Sequence, residues 1–469
     1  MKRAAIIGGG VIGGAWAARF LLNGWEVRLF DPDPEAERKM GEVLGNARRA
    51  LPMLYDRGTP AEGALTHVAT IAEAVSGAAW VQESVPERLD IKHKVIAEIE
   101  ASAPDALIGS STSGFKPSEL REGATKPDRI FVAHPFNPVY LLPLVELVGA
   151  PEDAADILRG VGMHPLHVRK EIDAHIADRF LEAVWREALW LIKDGVATTQ
   201  EIDDAIRYGF GLRWAQMGLF ETYRVAGGEA GMRHFIAQFG PCLKWPWTKL
   251  MDVPELTDEL VDAIADQSDA QSGHLSIREL ERLRDENLVA ILRALKARNA
   301  AAGALINAHE SGVQRWREAE DGSLITLERT VPIDWVDING HMNESRFGQV
   351  FSDASEAVMD RVGADPDYVA SGLSYFTVDV RIRFLMEAHA GDPILVKTQV
   401  LQGEGKKLRL FHRLFAADGT LLATGEQMLL HVSLDTRRTC EPAQHVRAAV
   451  EALAAAHAAL PQPDEKELL

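Results

Sequence analysis

His134 is the residue whose type and neighbours best suit proton transfer. It opens the run His134-Pro135-Phe136-Asn137-Pro138, and Glu146 follows within an apolar stretch, residues 140–148, that reads as a strand. Ser113 lies upstream in the turn Ser110-Ser111-Thr112-Ser113-Gly114. A neutral imidazole takes a proton from a substrate hydroxyl when a carboxylate on its other ring nitrogen holds the tautomer. A serine hydroxyl beside it holds the substrate oxygen during the transfer. Base, orienter and oxygen anchor therefore stand close together in the chain. A lone histidine before proline is more often a packed loop residue, so the assignment depends on what surrounds it.

A second group lies at the start of the chain. Gly8-Gly9-Gly10-Val11-Ile12-Gly13 follows the apolar run Ala4-Ala5-Ile6-Ile7, precedes a helical stretch, and is succeeded by Glu26-Val27-Arg28-Leu29-Phe30 with Asp31 at its end. Gly8 permits a tight turn, Gly10 lets a pyrophosphate approach the backbone, and Gly13 lets the helix pack close to the sheet. The helix N-terminus then faces the phosphates. Asp31 accepts hydrogen bonds from a ribose diol and repels a 2′-phosphate, so the expected cofactor is NAD rather than NADP.

Elements must hold these groups in place. Strand-like and helix-like stretches alternate as far as about residue 150, which predicts a doubly wound, mainly parallel α/β sheet. Ligands of such sheets lie beyond the carboxyl ends of the strands, where both Ser113 and His134 fall. Helical periodicity follows, over residues 176–193, 256–267 and 277–308, and predicts an all-α domain. From residue 324 a strand, then a helix over 344–362 capped by Asn343, then four long strands up to residue 432 predict an α+β hotdog fold. The expected divisions are residues 1–170, 171–315, 320–440 and a C-terminal helix and tail, 441–469.

The 469 residues are 46% hydrophobic and 25% charged, with a net charge of −19, an ordinary globular balance. Such acidity argues against nucleic acid or an anionic membrane as a partner. Cys242 and Cys440 are the two cysteines, too few for a disulfide framework or a cysteine metal site, and no metal is expected. The first apolar run stops at the glycines and reads as a buried strand rather than a signal peptide, so the expected location is the cytoplasm.

Residues 1 to about 300 resemble the 3-hydroxyacyl-CoA dehydrogenase superfamily. The resemblance rests on the glycine turn, Pro86-Glu87 before a helix, the Ser-x-Thr-Ser turn, and His134-Pro135-Phe136-Asn137-Pro138 followed by Glu146. It implies His134 as base, Glu146 as its partner and Ser113 on the substrate oxygen. It also implies that Glu87 and Lys92 lie near the cofactor, beside Gly8, Gly9, Gly10, Val11, Ile12, Gly13 and Asp31, and that the protein is a homodimer or higher homo-oligomer. Two positions depart from the pattern. Ser111 and Asp178 stand where the family usually has asparagine, and the second departure argues against the usual acyl-CoA substrate.

The stretch Gly209-Phe210-Gly211-Leu212-Arg213-Trp214-Ala215-Gln216-Met217-Gly218 looks like the lambda-crystallin and carnitine dehydrogenase branch, whose substrates are small free hydroxy acids. Arg213 suits a substrate carboxylate, or equally an interdomain salt bridge. Trp185, Trp190, Trp214, Trp245 and Trp247 crowd the same region, and an aromatic face beside a carboxylate binds quaternary ammonium groups. Trp214 and Asp178 are candidates for that role. Asp337-Ile338-Asn339-Gly340-His341-Met342-Asn343 resembles the signature of hotdog acyl-CoA thioesterases of the 4-hydroxybenzoyl-CoA type. That implies Asp337 as nucleophile or general base, with an N–H near Gly340 polarising the thioester carbonyl. Together the resemblances imply a carnitine dehydrogenase fused to a thioesterase acting on a small acyl-CoA such as betainyl-CoA. A 3-hydroxyacyl-CoA dehydrogenase with an accessory thioesterase, and a crystallin-like NAD-binding protein without turnover, are the alternatives. The intact Ser113, His134 and Glu146 set argues against the latter.

Overall fold

The computed structural model describes residues 2–226, 231–241, 248, 255 and 257–464; Cys242 and the candidate aromatics Trp245 and Trp247 lie outside these. Two compact units divide the chain: Met1–Ala47 with Glu62–Asn307, and Arg48–Ala61 with Ala308–Leu469.

The first unit holds an eight-stranded sheet. Its strands are β1 (Arg3–Ile7), β2 (Glu26–Phe30), β3 (Leu65–His67), β4 (Trp80–Glu83), β5 (Ile108–Ser110), β6 (Ile130–Pro135), β7 (Leu144–Val148) and β8 (His164–Val168). They lie in the order β3-β2-β1-β4-β5-β6-β7-β8. Strands β1 and β6 are mostly apolar because helices cover both faces of a parallel sheet. Trp16 and Phe20 on the first helix, Val11–Leu21, pack with Trp80 of β4, which in turn meets Phe131 of β6 edge-on at 5.5 Å. This is a doubly wound, Rossmann-type sheet.

Every pairing in it is parallel except β6 with β7. Residues 136–143 are too few for a crossover helix, so β7 has to return antiparallel. The apolar run 140–148, expected as one strand, becomes a strand only at Leu144. Before it, Leu141 and Leu142 N–H both donate to the Pro138 carbonyl in a turn, and Pro143 has no N–H to give a ladder.

The rest of the unit is helical, beginning with Ala177–Lys193. Helix Thr199–Ala205 is capped by Thr198 in a reciprocal box with Glu201. The pattern over 277–308, expected as one helix, is two, Ile277–Ala297 and Ala301–Ser311. Asn299 and Ala301 sit at φ 49° and 45°, and Ala300 N–H returns to the Leu295 carbonyl. Asparagine tolerates this left-handed conformation, which ends a helix.

The second unit winds an antiparallel sheet on one helix. Its strands are β9 (Arg317–Glu318), β10 (Leu324–Thr330), β11 (Leu373–Phe384), β12 (Pro393–Glu404), β13 (Lys407–Ala416), β14 (Leu421–Ser433) and β15 (Arg438–Thr439). They run β11-β14-β13-β12-β10-β9, with β15 on β14. Helix Glu344–Val362 begins where Asn343 accepts from Ser345 N–H, and buries Phe347, Val350, Phe351, Ala354, Ala357, Val358 and Val362 along one stripe. All of these but Ala357 belong to the two apolar clusters that join helix to sheet. This is the hotdog architecture.

Residues 48–61 also pack in this unit. Asp56 and Arg57 N–H both donate to Glu310, the Tyr55 hydroxyl meets His309 at 3.0 Å, and Asp56 pairs with the buried Arg329 at 2.8 Å. A cut between residues 315 and 320 therefore does not separate the two units.

Three buried histidines make the second unit acid-sensitive. Burial pushes His412 down to about 3, and its nitrogens are engaged by Thr398 and Ser355. Burial also lowers His431 and His457, and His457 Nδ1 accepts from Val400 N–H. Unfolded histidines titrate near about 6.5. Below that pH the unfolded chain binds protons that the folded chain does not, so stability falls as pH falls. His412 alone accounts for about 1.4 kcal/mol per pH unit through that window. Thermal unfolding of the second unit is expected to drop markedly between pH 7.5 and pH 5; a melting temperature flat over that range would contradict the assignment.

Candidate active site

The β6–β7 register sets His134 directly opposite Glu146, and opposed residues of an antiparallel pair share a face. His134 Nδ1 lies 3.0 Å from Glu146 Oε2. The other oxygen, Oε1, accepts from the N–H groups of Ile176 and Ala177 at 2.9 and 3.0 Å, at the start of helix Ala177–Lys193. Burial resists ionisation of Glu146, but the hydrogen bonds from His134 and the two amides outweigh it and hold the carboxyl below its usual range. An ionised Glu146 keeps the proton of a neutral His134 on Nδ1 and leaves Nε2 as the free base.

The same helix start carries Asp178, whose Oδ2 stands 3.6 Å from His134 Nε2. Its pKa is raised, chiefly by burial, against the pull of His134. His175 is fully buried, with its ring 5.5 Å from that of His134 and its Nε2 3.3 Å from the Thr112 carbonyl. The turn carrying Ser113 thus connects through Thr112 and His175 to the base. Ser113 is exposed, and its hydroxyl makes no hydrogen bond among the described residues.

The turn is also held from below. Glu87 accepts from the Thr112 hydroxyl and the Gly114 N–H, and pairs with Lys92 at 3.3 Å. Burial opposes the charge on Glu87, and those partners lower its pKa despite it. Lys92 is itself buried, 3.0 Å from the buried Glu83, which also takes hydrogen bonds from Ser110 and Val85 N–H. Lys92 therefore braces the loop beneath the site. Glu83 escaped the sequence reading: a carboxylate ending an apolar strand carries no motif, and only Lys92 and Ser110 show its role.

The glycine turn fits a dinucleotide. Gly8 has φ +99°, and a side chain there would meet the Ser84 carbonyl at 2.6 Å; one at Gly13 would meet the Gly8 carbonyl at 1.8 Å. At Gly10 the space is open, and no side chain caps the helix that Val11 and Ile12 begin. Its N–H groups are left for an anion. Asp31 stands at the end of β2, accepting from Gly9 N–H at 2.5 Å and from Asp33 N–H at 2.8 Å, with lone pairs remaining for a ribose diol.

Arg213 and Trp214 are exposed on helix Gly211–Ala226, and Trp214 packs on Phe210 at 4.6 Å. Among the described residues neither makes a hydrogen bond or ion pair with His134, Glu146 or Asp178.

In the second unit, Asp337 begins a closed turn. Its N–H donates to the His341 carbonyl, Gly340 N–H donates to the Asp337 carbonyl, and Asn339 N–H donates to Asp337 Oδ1 at 2.8 Å. The Gly340 N–H is thereby spent inside the turn. Gly340 holds φ +82° and Asn343 caps the helix that follows. His341 lies 3.1 Å from Glu387 rather than against Asp337.

Residues 3–172 match the 3-hydroxyacyl-CoA dehydrogenase NAD-binding domain, residues 175–263 its C-terminal domain, and residues 331–450 the thioesterase-like superfamily. A protein of Ruegeria pomeroyi named L-carnitine dehydrogenase/betainyl-CoA thioesterase is 64% identical over 99% of this chain and 98% of its own. An L-carnitine dehydrogenase of Pseudomonas putida is 54% identical over 65% of this chain and 97% of its own. Among solved structures, 5-formyl-3-hydroxy-2-methylpyridine 4-carboxylic acid 5-dehydrogenase matches with a TM-score of 0.54 and 26% identity, over 63% of this chain and 99% of that one.

Proposed function

The chain belongs to the family of L-carnitine dehydrogenase/betainyl-CoA thioesterases, and from that premise we infer that it oxidises L-carnitine to 3-dehydrocarnitine with NAD and hydrolyses betainyl-CoA. The observation that carries the first activity is His134 held by an ionised Glu146, with Nε2 turned toward Asp178. His134 Nε2 takes the proton of the carnitine hydroxyl, and Ser113 steadies the oxygen. When bound, NAD would supply the hydride acceptor for the carbon that bears this hydroxyl. Gly8 to Gly13 and Asp31 hold the dinucleotide, and Glu87 and Lys92 fix the loop bearing Ser113.

Carnitine carries a trimethylammonium group, which offers no N–H donor, so charge and aromatic faces must bind it. Asp178 supplies a charge beside the reacting hydroxyl that asparagine does not. Arg213 and Trp214 are the candidates for the carboxylate and an aromatic face. Asp178→Asn tests the assignment. It is expected to raise KM for carnitine about tenfold or more, an effect of at least about 1.4 kcal/mol, and to leave KM for an uncharged 3-hydroxy acid of similar size nearly unchanged. Equal effects on both substrates, with only the pH profile moved, would leave Asp178 a tuning role on His134.

For the second activity, Asp337 activates water against the thioester carbonyl, or attacks it to form a mixed anhydride that water then opens; on either route the C–S bond breaks and CoA leaves as its thiol. NAD and CoA thioesters are intracellular metabolites, and we place the enzyme in the cytoplasm. Homodimerisation fits two uncovered apolar surfaces. Phe180, Leu181, Val184 and Trp185 are exposed on helix Ala177–Lys193, and Phe376, Val378, Val380 and Phe384 are exposed on the edge strand β11.

A further inference from the structure

Among the described residues, one group of three side chains has metal-ligand chemistry and spacing: His341, Glu387 and His389. One donor atom from each lies within 4.8 Å of the others, and His341 Nε2 stands 3.1 Å from Glu387 Oε2. The two imidazole rings meet edge to face at 5.1 Å. We propose that these three residues form a site for a divalent transition-metal ion that clamps the Asp337–Asn343 turn to the connection between β11 and β12.

The backbone brings the donors together. Met342 N–H donates to the Ala388 carbonyl at 2.7 Å, and both residues are buried, at 4% and 1% exposure. His341 precedes one end of this bond, and Glu387 and His389 flank the other. Glu387 and His389 flank Ala388, and a donor atom of each comes within 4.8 Å of one on His341. Asp392 supports the arrangement. Its Oδ2 accepts from His389 N–H at 2.7 Å and lies 3.5 Å from His389 Nδ1. A carboxylate against one nitrogen of an imidazole fixes its orientation and increases its donor strength, as in many metal sites.

Two imidazoles and one carboxylate favour Zn²⁺, Co²⁺ or Ni²⁺ over Mg²⁺ or Ca²⁺. Three protein donors leave positions for water. Glu387 and His389 are exposed and His341 is partly so, which gives an ion access from solvent. A bound ion would replace the direct His341–Glu387 contact and join two loops now linked there by one backbone hydrogen bond. The turn it would hold is the one that carries Asp337.

The test uses the full-length chain without a histidine tag. Zn²⁺ is titrated against a chromophoric chelator, and hydrogen exchange is followed at Asn339 and Gly340 with and without the ion. One Zn²⁺ per chain is expected to be lost in His389→Ala and weakened about tenfold or more in Glu387→Gln. Exchange at the two amides is expected to slow with Zn²⁺ in the native chain and not in His389→Ala. His389 is exposed, so the variant should fold normally, which circular dichroism checks. Equal Zn²⁺ binding by the native chain and His389→Ala would overturn the site and leave a surface ion pair. Binding at the site without slower exchange would overturn the clamp.

Discussion

His134→Ala is expected to lower kcat for carnitine oxidation by about 10²–10⁴-fold while NAD binds as before. Removing the imidazole removes the group placed to take the hydroxyl proton, His134 Nε2. The glycine turn and Asp31 belong to β1, β2 and the first helix, so cofactor affinity has no reason to change. Glu146→Gln probes the same step from the other side. Glu146 Oε1 is committed to two amide donors. A glutamine keeping those two bonds must present its NH₂ group to His134 Nδ1. That forces the proton of a neutral imidazole onto Nε2, the wrong tautomer for a base. kcat therefore falls again, with KM for NAD unchanged. Stopped-flow measurement of NADH formation checks both, and normal turnover by His134→Ala would remove it from the chemistry.

Asp337→Ala is expected to lower thioester hydrolysis by about 10²–10⁴-fold and to leave carnitine oxidation intact. Asp337 Oδ1 is tied to Asn339 N–H, which aims the carboxylate and leaves Oδ2 for the thioester or a water. The turn itself is closed by main-chain hydrogen bonds between Asp337, Gly340 and His341, so truncating the side chain should leave its path in place. Release of free CoA thiol from betainyl-CoA and NADH formation from carnitine are measured on one preparation. Loss of both activities together in a folded protein would mean that the two reactions depend on each other, contrary to this account.

Much of the first site was legible because its logic is local. A glycine turn between strand and helix, an acid at the end of the next strand, and His134 at the end of β6 each follow from a few adjacent residues. The pairing of His134 with Glu146 needed the antiparallel return of β7, which the short link of residues 136–143 imposes. Asp178 is different. It reaches His134 only because the start of its helix is bound to Glu146, a contact that no periodicity reveals, and the resemblance alone pointed to it. Residues 48–61 were read as part of the dinucleotide-binding domain because nothing in a short helical tail announces partners such as Glu310 and Arg329, far downstream. The break at Asn299 was missed for a simpler reason. Alanine-rich sequence keeps helical periodicity on both sides, and a single asparagine in the left-handed conformation decides where it stops. In the second unit, Asn343 and the apolar stripe of its helix were local signals, and that helix begins and ends where they indicate.

The central claim is that the first site takes free carnitine rather than a CoA thioester. NADH formation measured with L-carnitine and with 3-hydroxybutyryl-CoA, under the same conditions, tests it most directly. The account predicts a kcat/KM for carnitine at least about 10²-fold above that for the thioester, a difference of about 2.7 kcal/mol. Comparable or faster oxidation of 3-hydroxybutyryl-CoA would contradict it.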